Sequence, residues 1–398
     1  MIRDVSSVST PLGPNSSRPS RSTWAINRSN VASSITGLST TLISLSVVVT
    51  EGVLSWWGGT PHTKNSTPPT WLAALGTDPD LVGASVTIET APDAGHKLRT
   101  EVASQLAPDA PQLAVDALSQ IVNTYPAGSA SISARIALTW ARTARAGSTK
   151  RRSVDEMTVE IGRRLPGLTH GLASTGAGPA RTLVAAEIAA AVRTAFNPTI
   201  AAAVEEAGPA DAGISWGDAG PVAAEESWDS YRHDEATSRS WFMVEAPRGH
   251  VFATSLHRLL APHPDTTRKR VTLLYRPYRQ AAAVRMVDRD HKDALFNATG
   301  RRVGRARDAI SINAAEQTAA EEARGAGLVR FGIVVTATVT DPDDLATAAT
   351  AIEHLGGASR LVLRPAFGQQ ATGFLAGLPL GIVLAAHVRV PEAIRDAA

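Results

Sequence analysis

The fold is decided by residues 328–340, which read LVRFGIVVTATVT, and by the DPDD turn that follows them at residues 341–344. Val, Ile and Thr dominate the run, and these side chains favour the pleated surface of a strand. Asp341 is a favourable N-cap, Pro342 suits the first position of a helix, and the next acids complement the helix dipole. The stretch therefore predicts a strand that leads directly into a helix.

The residues that follow complete a strand–helix–strand unit. Apolar residues recur at spacings of three and four from Leu345 to Leu355, which is typical of one helix face. The pair Gly356-Gly357 predicts the end of that helix. Residues 360–364, which read RLVLR, predict the next strand. No group in this unit is suited to covalent or acid–base chemistry, so we interpret it as a packed α/β scaffold.

This order of elements resembles a known family. A strand, an Asp-Pro-Asp turn, a helix, a short strand, a Gln-containing helix and the segment LPLG at residues 378–381 are similar to the N-terminal, non-ATPase region of type IV secretion (conjugation) ATPases. The chain more closely resembles an actinobacterial family of conjugation-associated membrane proteins, over about residues 70–385. Further matching segments are residues 71–76, 83–93, 228–234 and 321–331. The family has structural motifs and no catalytic signature, so the resemblance implies no enzyme activity and no cofactor.

Composition excludes several classes of site. The chain has 398 residues, enough for two domains, and no cysteine. Disulfide scaffolds, cysteine–zinc sites and thiol nucleophiles are therefore excluded. The 39 Lys and Arg residues nearly balance the 37 Asp and Glu residues, and a net charge of +2 argues neither for nor against nucleic acid. The ten histidines show no zinc-site spacing, and we expect no metal site.

Composition and periodicity also suggest the domain organisation. The segments are a Ser/Thr-rich N-terminus at 1–70, a first α/β half at 71–200, a linker at 199–235, a second half at 236–385 and a tail at 386–398. We expect disorder before residue 70, except for a strand at 42–49. Trp216 and Trp228 indicate that the linker packs against the rest of the chain. The two halves predict an α+β fold of two ferredoxin-like, βαβ-containing units with long helical insertions.

Two local patterns in the first half lead to specific expectations. Ser153 and Glu156 form a capping box, and Pro166-Gly167 predict the end of the helix that it begins. The glycine-rich loop at residues 171–178 has the glycine spacing of a phosphate-binding loop. It carries Ala177 where that loop needs Lys and a glycine in place of Ser or Thr. We interpret it as a connector.

The N-terminus departs from the family pattern. Members of the family begin with one or two membrane-spanning helices, whereas the run at 42–49 is far shorter than the about 20 apolar residues that a span needs. We therefore expect no complete transmembrane helix and a location at the cytoplasmic face of the membrane. The difference also raises the possibility of a truncated or misassigned start within residues 1–70. The resemblance implies the secretion ATPase and membrane channel proteins as partners.

A basic stretch interleaved with tyrosines is the candidate binding surface. Such a pattern can bind single-stranded nucleic acid through phosphate contacts and stacking, or anionic lipid head groups. Aspartates at 288, 290 and 293 lie among the basic residues, so we favour a solvated face or a protein contact over these binding roles. The candidate residues are Arg268, Lys269, Arg270, Arg276, Tyr278, Arg279, Arg301, Arg302 and Arg305.

Two functional hypotheses follow. The first is a non-enzymatic structural component of an actinobacterial type IV secretion or conjugation apparatus, docked against the secretion ATPase through the 236–385 half. The alternative is a nucleic-acid-binding accessory protein that uses the Arg/Tyr patch at residues 268–307.

Overall fold

The structure is a computed structural model with side chains. It describes residues 24–26, 33–36, 42–49, 71, 74–107, 109–124, 129–143, 149–172, 180–245, 253–278, 283–289, 292, 316 and 328–384. The Arg/Tyr patch residues Arg279, Arg301, Arg302 and Arg305 lie outside these ranges, as do the tail at 386–398 and most of the residues before 71.

The described strands form one antiparallel sheet, and together with the helices they make a mixed α/β fold. The strands are β1 (Trp24–Ile26), β2 (Ser33–Thr36), β3 (Leu42–Val49), β4 (Leu81–Pro92), β5 (Ala130–Ala141), β6 (Ala180–Thr182), β7 (Ala224–Glu226), β8 (Tyr231–His233), β9 (Ala236–Glu245), β10 (Arg268–Pro277), β11 (Val329–Val339) and β12 (Val362–Pro365). Their order is β1-β2-β3-β5-β4-β10-β11-β9-β8-β7. Strand β6 pairs with β3, and β12 pairs with β9.

Helices connect and cover these strands. They are α1 (His96–Gln105), α2 (Gln112–Thr124), α3 (Val154–Leu172), α4 (Ala185–Phe196), α5 (Ala201–Ala207), α6 (His257–Leu260), α7 (Leu345–Ala358) and α8 (Gln370–Ala376). None of the helices in the described part of the chain is long and apolar enough to cross a membrane.

The two halves of the chain share the sheet. Strands β4, β5 and β6 of the first half, together with β3 from the segment before residue 71, have the order β6-β3-β5-β4, and those from the second half have the order β10-β11-β9-β12. The halves meet where β4 pairs with β10, from Thr90 opposite Lys269 to Ala84 opposite Tyr275. Residues 199–235, which we predicted as a linker, contain α5, β7 and β8 and so contribute to the sheet.

One face of the sheet is apolar. Val86, Ile136, Val271 and Val335 lie in one core cluster, which also includes side chains from α3, α6 and α7. Because this cluster draws on strands from both sides of the β4–β10 pairing, the two halves are packed as one unit on this face.

The other face of the sheet is polar but is also buried. Thr87 and Thr272 are joined by a hydrogen bond of 3.1 Å between their hydroxyls, and Ser240 and Thr336 by one of 2.9 Å. A second apolar cluster includes Phe196 of α4 together with side chains of α8 and of the segment that follows it. The central strands of the sheet are therefore covered on both faces.

The structure confirms the strand–helix–strand unit, with one correction. Strand β11 matches the predicted run, and the side chain of Asp341 accepts a 3.0 Å hydrogen bond from the Asp343 backbone N–H. Helix α7 continues past Gly356-Gly357 to Ala358, so the predicted end was wrong. A Cβ on Gly356 would lie 2.6 Å from a methyl carbon of Leu363. The glycine at 356 is thus explained by close packing of β12 on the helix.

The predicted end of α3 was also wrong. The capping box is present, with hydrogen bonds of 2.7 Å and 3.1 Å between Ser153 and Glu156. The helix nevertheless continues through Pro166 to Leu172. Proline removes one backbone hydrogen bond, but buried side chains on both sides, Leu165 and Leu172, anchor the two parts of the helix in the core.

Candidate functional site

The described residues of the predicted Arg/Tyr patch do not form one surface. Arg268, Lys269 and Arg270 are 7%, 1% and 2% exposed, because they lie in central strand β10, which is covered on both faces. They cannot contact nucleic acid or lipid head groups without opening the sheet, which corrects their assignment as contact residues. Arg276 and Tyr278, near the end of the same strand, are half-buried.

A buried charge network occupies the polar face beside the β4–β10 pairing. Glu89 accepts hydrogen bonds of 2.8 Å from Arg268 and 3.2 Å from Arg135. Burial alone would raise the pKa of Glu89, but the positive charges of Arg268, Arg135 and Arg270 outweigh it and hold that pKa below its ordinary value. Glu89 is therefore ionised at neutral pH and compensates part of the surrounding positive charge.

Arg270 is the least satisfied member of this network. Its guanidinium lies 4.5 Å from the ring centroid of Phe374, which is a cation–π contact. None of its side-chain nitrogens has a hydrogen-bond partner among the described residues. Burial lowers its pKa to about 10, so the group remains charged at neutral pH. The site is closed, and its chemistry is that of a structural charge.

Lys269 points to the opposite face of the sheet. Its ammonium donates a hydrogen bond to the backbone carbonyl of Ala261, just after α6. Burial lowers the pKa of Lys269 to about 8. A lysine with such a pKa can act as a nucleophile when a substrate can reach it, but this one is 1% exposed.

His233 is a buried group that sequence reasoning missed. One ring nitrogen lies 2.6 Å from the Phe196 carbonyl oxygen, and the other lies 2.7 Å from the Ser238 hydroxyl. Burial lowers its pKa to about 4, so the ring is neutral at physiological pH. Its fixed contacts and its complete burial are those of a packing residue, and within the described ranges no cluster of His, Asp or Glu could hold a metal.

The exposed border of the sheet carries an aromatic pair. Trp228 and Phe367 stack with ring centroids 5.9 Å apart and an angle of 12° between their planes. Trp228 is 71% exposed although it stacks on Phe367. Trp216, in contrast, is half-buried against the second apolar cluster.

The backbone fixes this aromatic pair. The Gly368 N–H donates a 2.7 Å hydrogen bond to the Trp228 carbonyl oxygen. Gly368 has a φ of +66°, and a Cβ there would lie 2.9 Å from the Trp228 ring, so only glycine suits this position. Asp229, next to the tryptophan, forms an ion pair with Arg239 of β9.

Strand β12 continues the same border. It pairs with β9 and with no other strand in the described part of the chain. Val362, at the start of β12, is 55% exposed. We call the surface formed by Trp228, Phe367 and strand β12 the aromatic edge. An exposed strand edge with apolar side chains can accept a strand or a loop of another protein.

No family model matches this chain, and a search of curated proteins finds no match.

Proposed function

We propose that this chain is a non-enzymatic structural component of an actinobacterial type IV secretion or conjugation apparatus. It docks at the cytoplasmic face of the membrane, against the secretion ATPase, through the 236–385 half. The proposal rests on the resemblance of residues 70–385 to that family. The single observation that carries the docking role is the aromatic edge, because an exposed Trp–Phe stack lies beside β12, which pairs with a strand on one side only in the described part of the chain.

The proposed architecture is two ferredoxin-like halves joined edge to edge. The first half completes its set of four strands with β3, from the segment before residue 71. Numbered along the chain, the four strands of each set then lie in the spatial order 4-1-3-2, which is β6-β3-β5-β4 in the first set and β12-β9-β11-β10 in the second. Antiparallel βαββαβ units with this order support the ferredoxin-like interpretation. The second strand of each half is the one at the β4–β10 pairing, which leaves β12 at a border.

The energetics of docking favour the aromatic edge over other exposed apolar residues. Binding energy at interfaces concentrates in a few aromatic and Arg side chains, and Trp and Tyr lead this group. The stacking and the hydrogen bond to Gly368 hold Trp228 in place before binding, so little side-chain entropy is lost when a partner covers it.

Affinity purification from the native host tests the proposal. The tagged full chain is purified gently, and the amount of secretion ATPase or channel protein recovered with it is measured. We expect Trp228→Ala to reduce that recovery about tenfold or more, since a hot-spot residue contributes about 2 kcal/mol or more.

Leu113→Ala is the matched control, since Leu113 is 82% exposed but lies on α2, in the first half of the chain. It should leave recovery unchanged. Recovery of neither the ATPase nor a channel protein with the unaltered chain would contradict the proposal, and so would equal recovery with both variants.

A further inference from the structure

A small cavity opens on the polar face where strands β4, β10 and β11 end. Its volume is about 250 Å³, and the segment at residues 381–384 forms one wall. This size is below that of the clefts that hold drug-sized ligands, so it suits a small group or a head group. The residues that line it include Ser85, Leu274, Arg276, Arg330, Gly332 and Ile382.

Two arginines lie at one end of this cavity. Arg276 and Arg330 are direct register partners on β10 and β11, so their side chains leave the same face of the sheet. Cross-strand partners have Cβ atoms about 5 Å apart, and like charges in such a pair repel. No ion pair joins either guanidinium to a carboxylate among the described residues. Within the described ranges, the pair is therefore a positive charge with no carboxylate bound to it at the cavity.

The residues two positions further along these strands form the bottom of the cavity. Ser85, Leu274 and Gly332 are neighbours in register on β4, β10 and β11. Ser85 is 2% exposed, and its hydroxyl has no hydrogen-bond partner in the part of the chain that the structure describes. A buried hydroxyl without a partner costs free energy, so a ligand oxygen that bonded to it would gain affinity. Open space adjoins Gly332, since a Cβ there would meet no atom within 4 Å.

We propose that this cavity binds a phosphate ester. The phosphate lies between Arg276 and Arg330, where two guanidinium groups can each form paired hydrogen bonds to its oxygens. The ester group extends over Leu274 and Ile382 towards the Ser85 hydroxyl. Either a soluble phosphate ester or the head group of an anionic phospholipid supplies this chemistry. The inference is independent of the docking role, because the aromatic edge contributes no residue to the cavity.

Direct binding measurements on the full chain test this site. One probe is glycerol 3-phosphate, followed by calorimetry. The other is vesicles of phosphatidylcholine with or without phosphatidylglycerol, followed by sedimentation. We expect saturable binding of at least one probe, and a loss of tenfold or more in affinity in both Arg276→Gln and Arg330→Gln. Binding of glycerol 3-phosphate alone identifies a soluble ester, and binding only of the anionic vesicles identifies a lipid.

Two further variants distinguish specific binding in the cavity from non-specific attraction of the anionic probe to positive charge. Gly332→Val fills the cavity without changing the net charge, and it should abolish binding while the strand is retained. Arg364→Gln removes an exposed arginine from β12 and should leave the affinity unchanged. Circular dichroism verifies that each variant is folded.

Several results would overturn the phosphate site. These are saturable binding of neither probe, an equal loss in Arg364→Gln and Arg330→Gln, or undiminished binding in folded Gly332→Val.

Discussion

Glu89 compensates the positive charge that three arginines bring to the polar face of the sheet. It contacts Arg268 and Arg135 directly and is itself 9% exposed. Breaking a buried ion pair by removing one partner leaves an uncompensated charge, which is far more costly than losing a surface pair. The stability of the β4–β10 pairing should therefore depend on this carboxylate.

We expect Glu89→Gln to lower the free energy of unfolding by about 3 kcal/mol at neutral pH. The folded pKa of Glu89 is below its ordinary value of 4.5, so its stabilisation is present above pH 4.5 and is lost as the pH falls through the folded pKa. Urea unfolding followed by circular dichroism measures both effects. The exposed Glu225→Gln on β7 is the control, and equal stability of the two variants would contradict this role.

His233 should make the protein sensitive to mild acid. Its folded pKa is about 4, against an ordinary value of 6.5, so the unfolded chain binds the proton more tightly. Stability from the neutral ring is therefore complete above pH 6.5 and is lost as the pH falls towards 4, by up to about 3 kcal/mol. Urea midpoints across this pH range measure the loss.

Substitution of His233 tests whether that residue causes the pH dependence of stability. His233→Phe should be less stable than the unaltered protein at pH 7, because the Phe196 carbonyl loses its side-chain partner and the Ser238 hydroxyl keeps only Thr338. It should nevertheless show a flatter loss between pH 6.5 and 4. The exposed His257→Gln should keep the original slope. An unchanged slope in His233→Phe would assign the effect to another group.

At the scale of single elements, helix α7 contains two adjacent glycines, of which only one is required by close packing. A Cβ at Gly356 would lie 2.6 Å from one carbon of Leu363 and 3.0 Å from the next, whereas a Cβ at Gly357 would meet nothing within 4 Å. Both residues lie within the helix. Substitution of each glycine by alanine therefore distinguishes the cost of close packing at position 356 from the gain in helix propensity at position 357.

Gly357→Ala should stabilise the protein by about 0.5–1 kcal/mol, which is the helix propensity that glycine forfeits. Gly356→Ala should destabilise it by about 1–3 kcal/mol, because the added methyl group overpacks the contact with β12. Thermal unfolding of the two variants gives the comparison. Stabilisation of similar size by both would show that Leu363 moves aside without cost.

Local patterns predicted the individual elements well. The Val/Ile/Thr run became β11, the Asp341 cap is present, and the capping box begins α3. Both errors at helix ends concern Gly or Pro. In each case, contacts made by residues distant in the chain outweigh the local preference for a break.

The buried polar face could not be predicted in the same way. Residues 268–273, which read RKRVTL, end in an alternation of polar and apolar side chains that is typical of a strand with one solvated face. The cluster that covers this face draws on α4 and α8, which are far from β10 in the sequence. Nothing in the local pattern indicates that cover, which is why the basic residues were assigned to a surface.

At the scale of the whole molecule, the joining of the two halves determines which surfaces are free. Pairing of β4 with β10 places both strands, and the charges around them, at the centre of the sheet. The aromatic edge, with Phe367 and β12 from the second half and Trp228 from the segment before it, remains at a border of the sheet. This arrangement connects the buried arginines with the proposed docking role: the same sheet that buries Arg268 and Arg270 exposes Trp228 and Val362.

Photo-crosslinking in the native host tests the docking role most directly. A photoreactive amino acid replaces Val362 on the aromatic edge, or Leu113 on α2 as the control, in the full chain. The account predicts an adduct between position 362 and the secretion ATPase or a channel protein, with no such adduct from position 113. No adduct at position 362, or the same adducts at both positions, would contradict it.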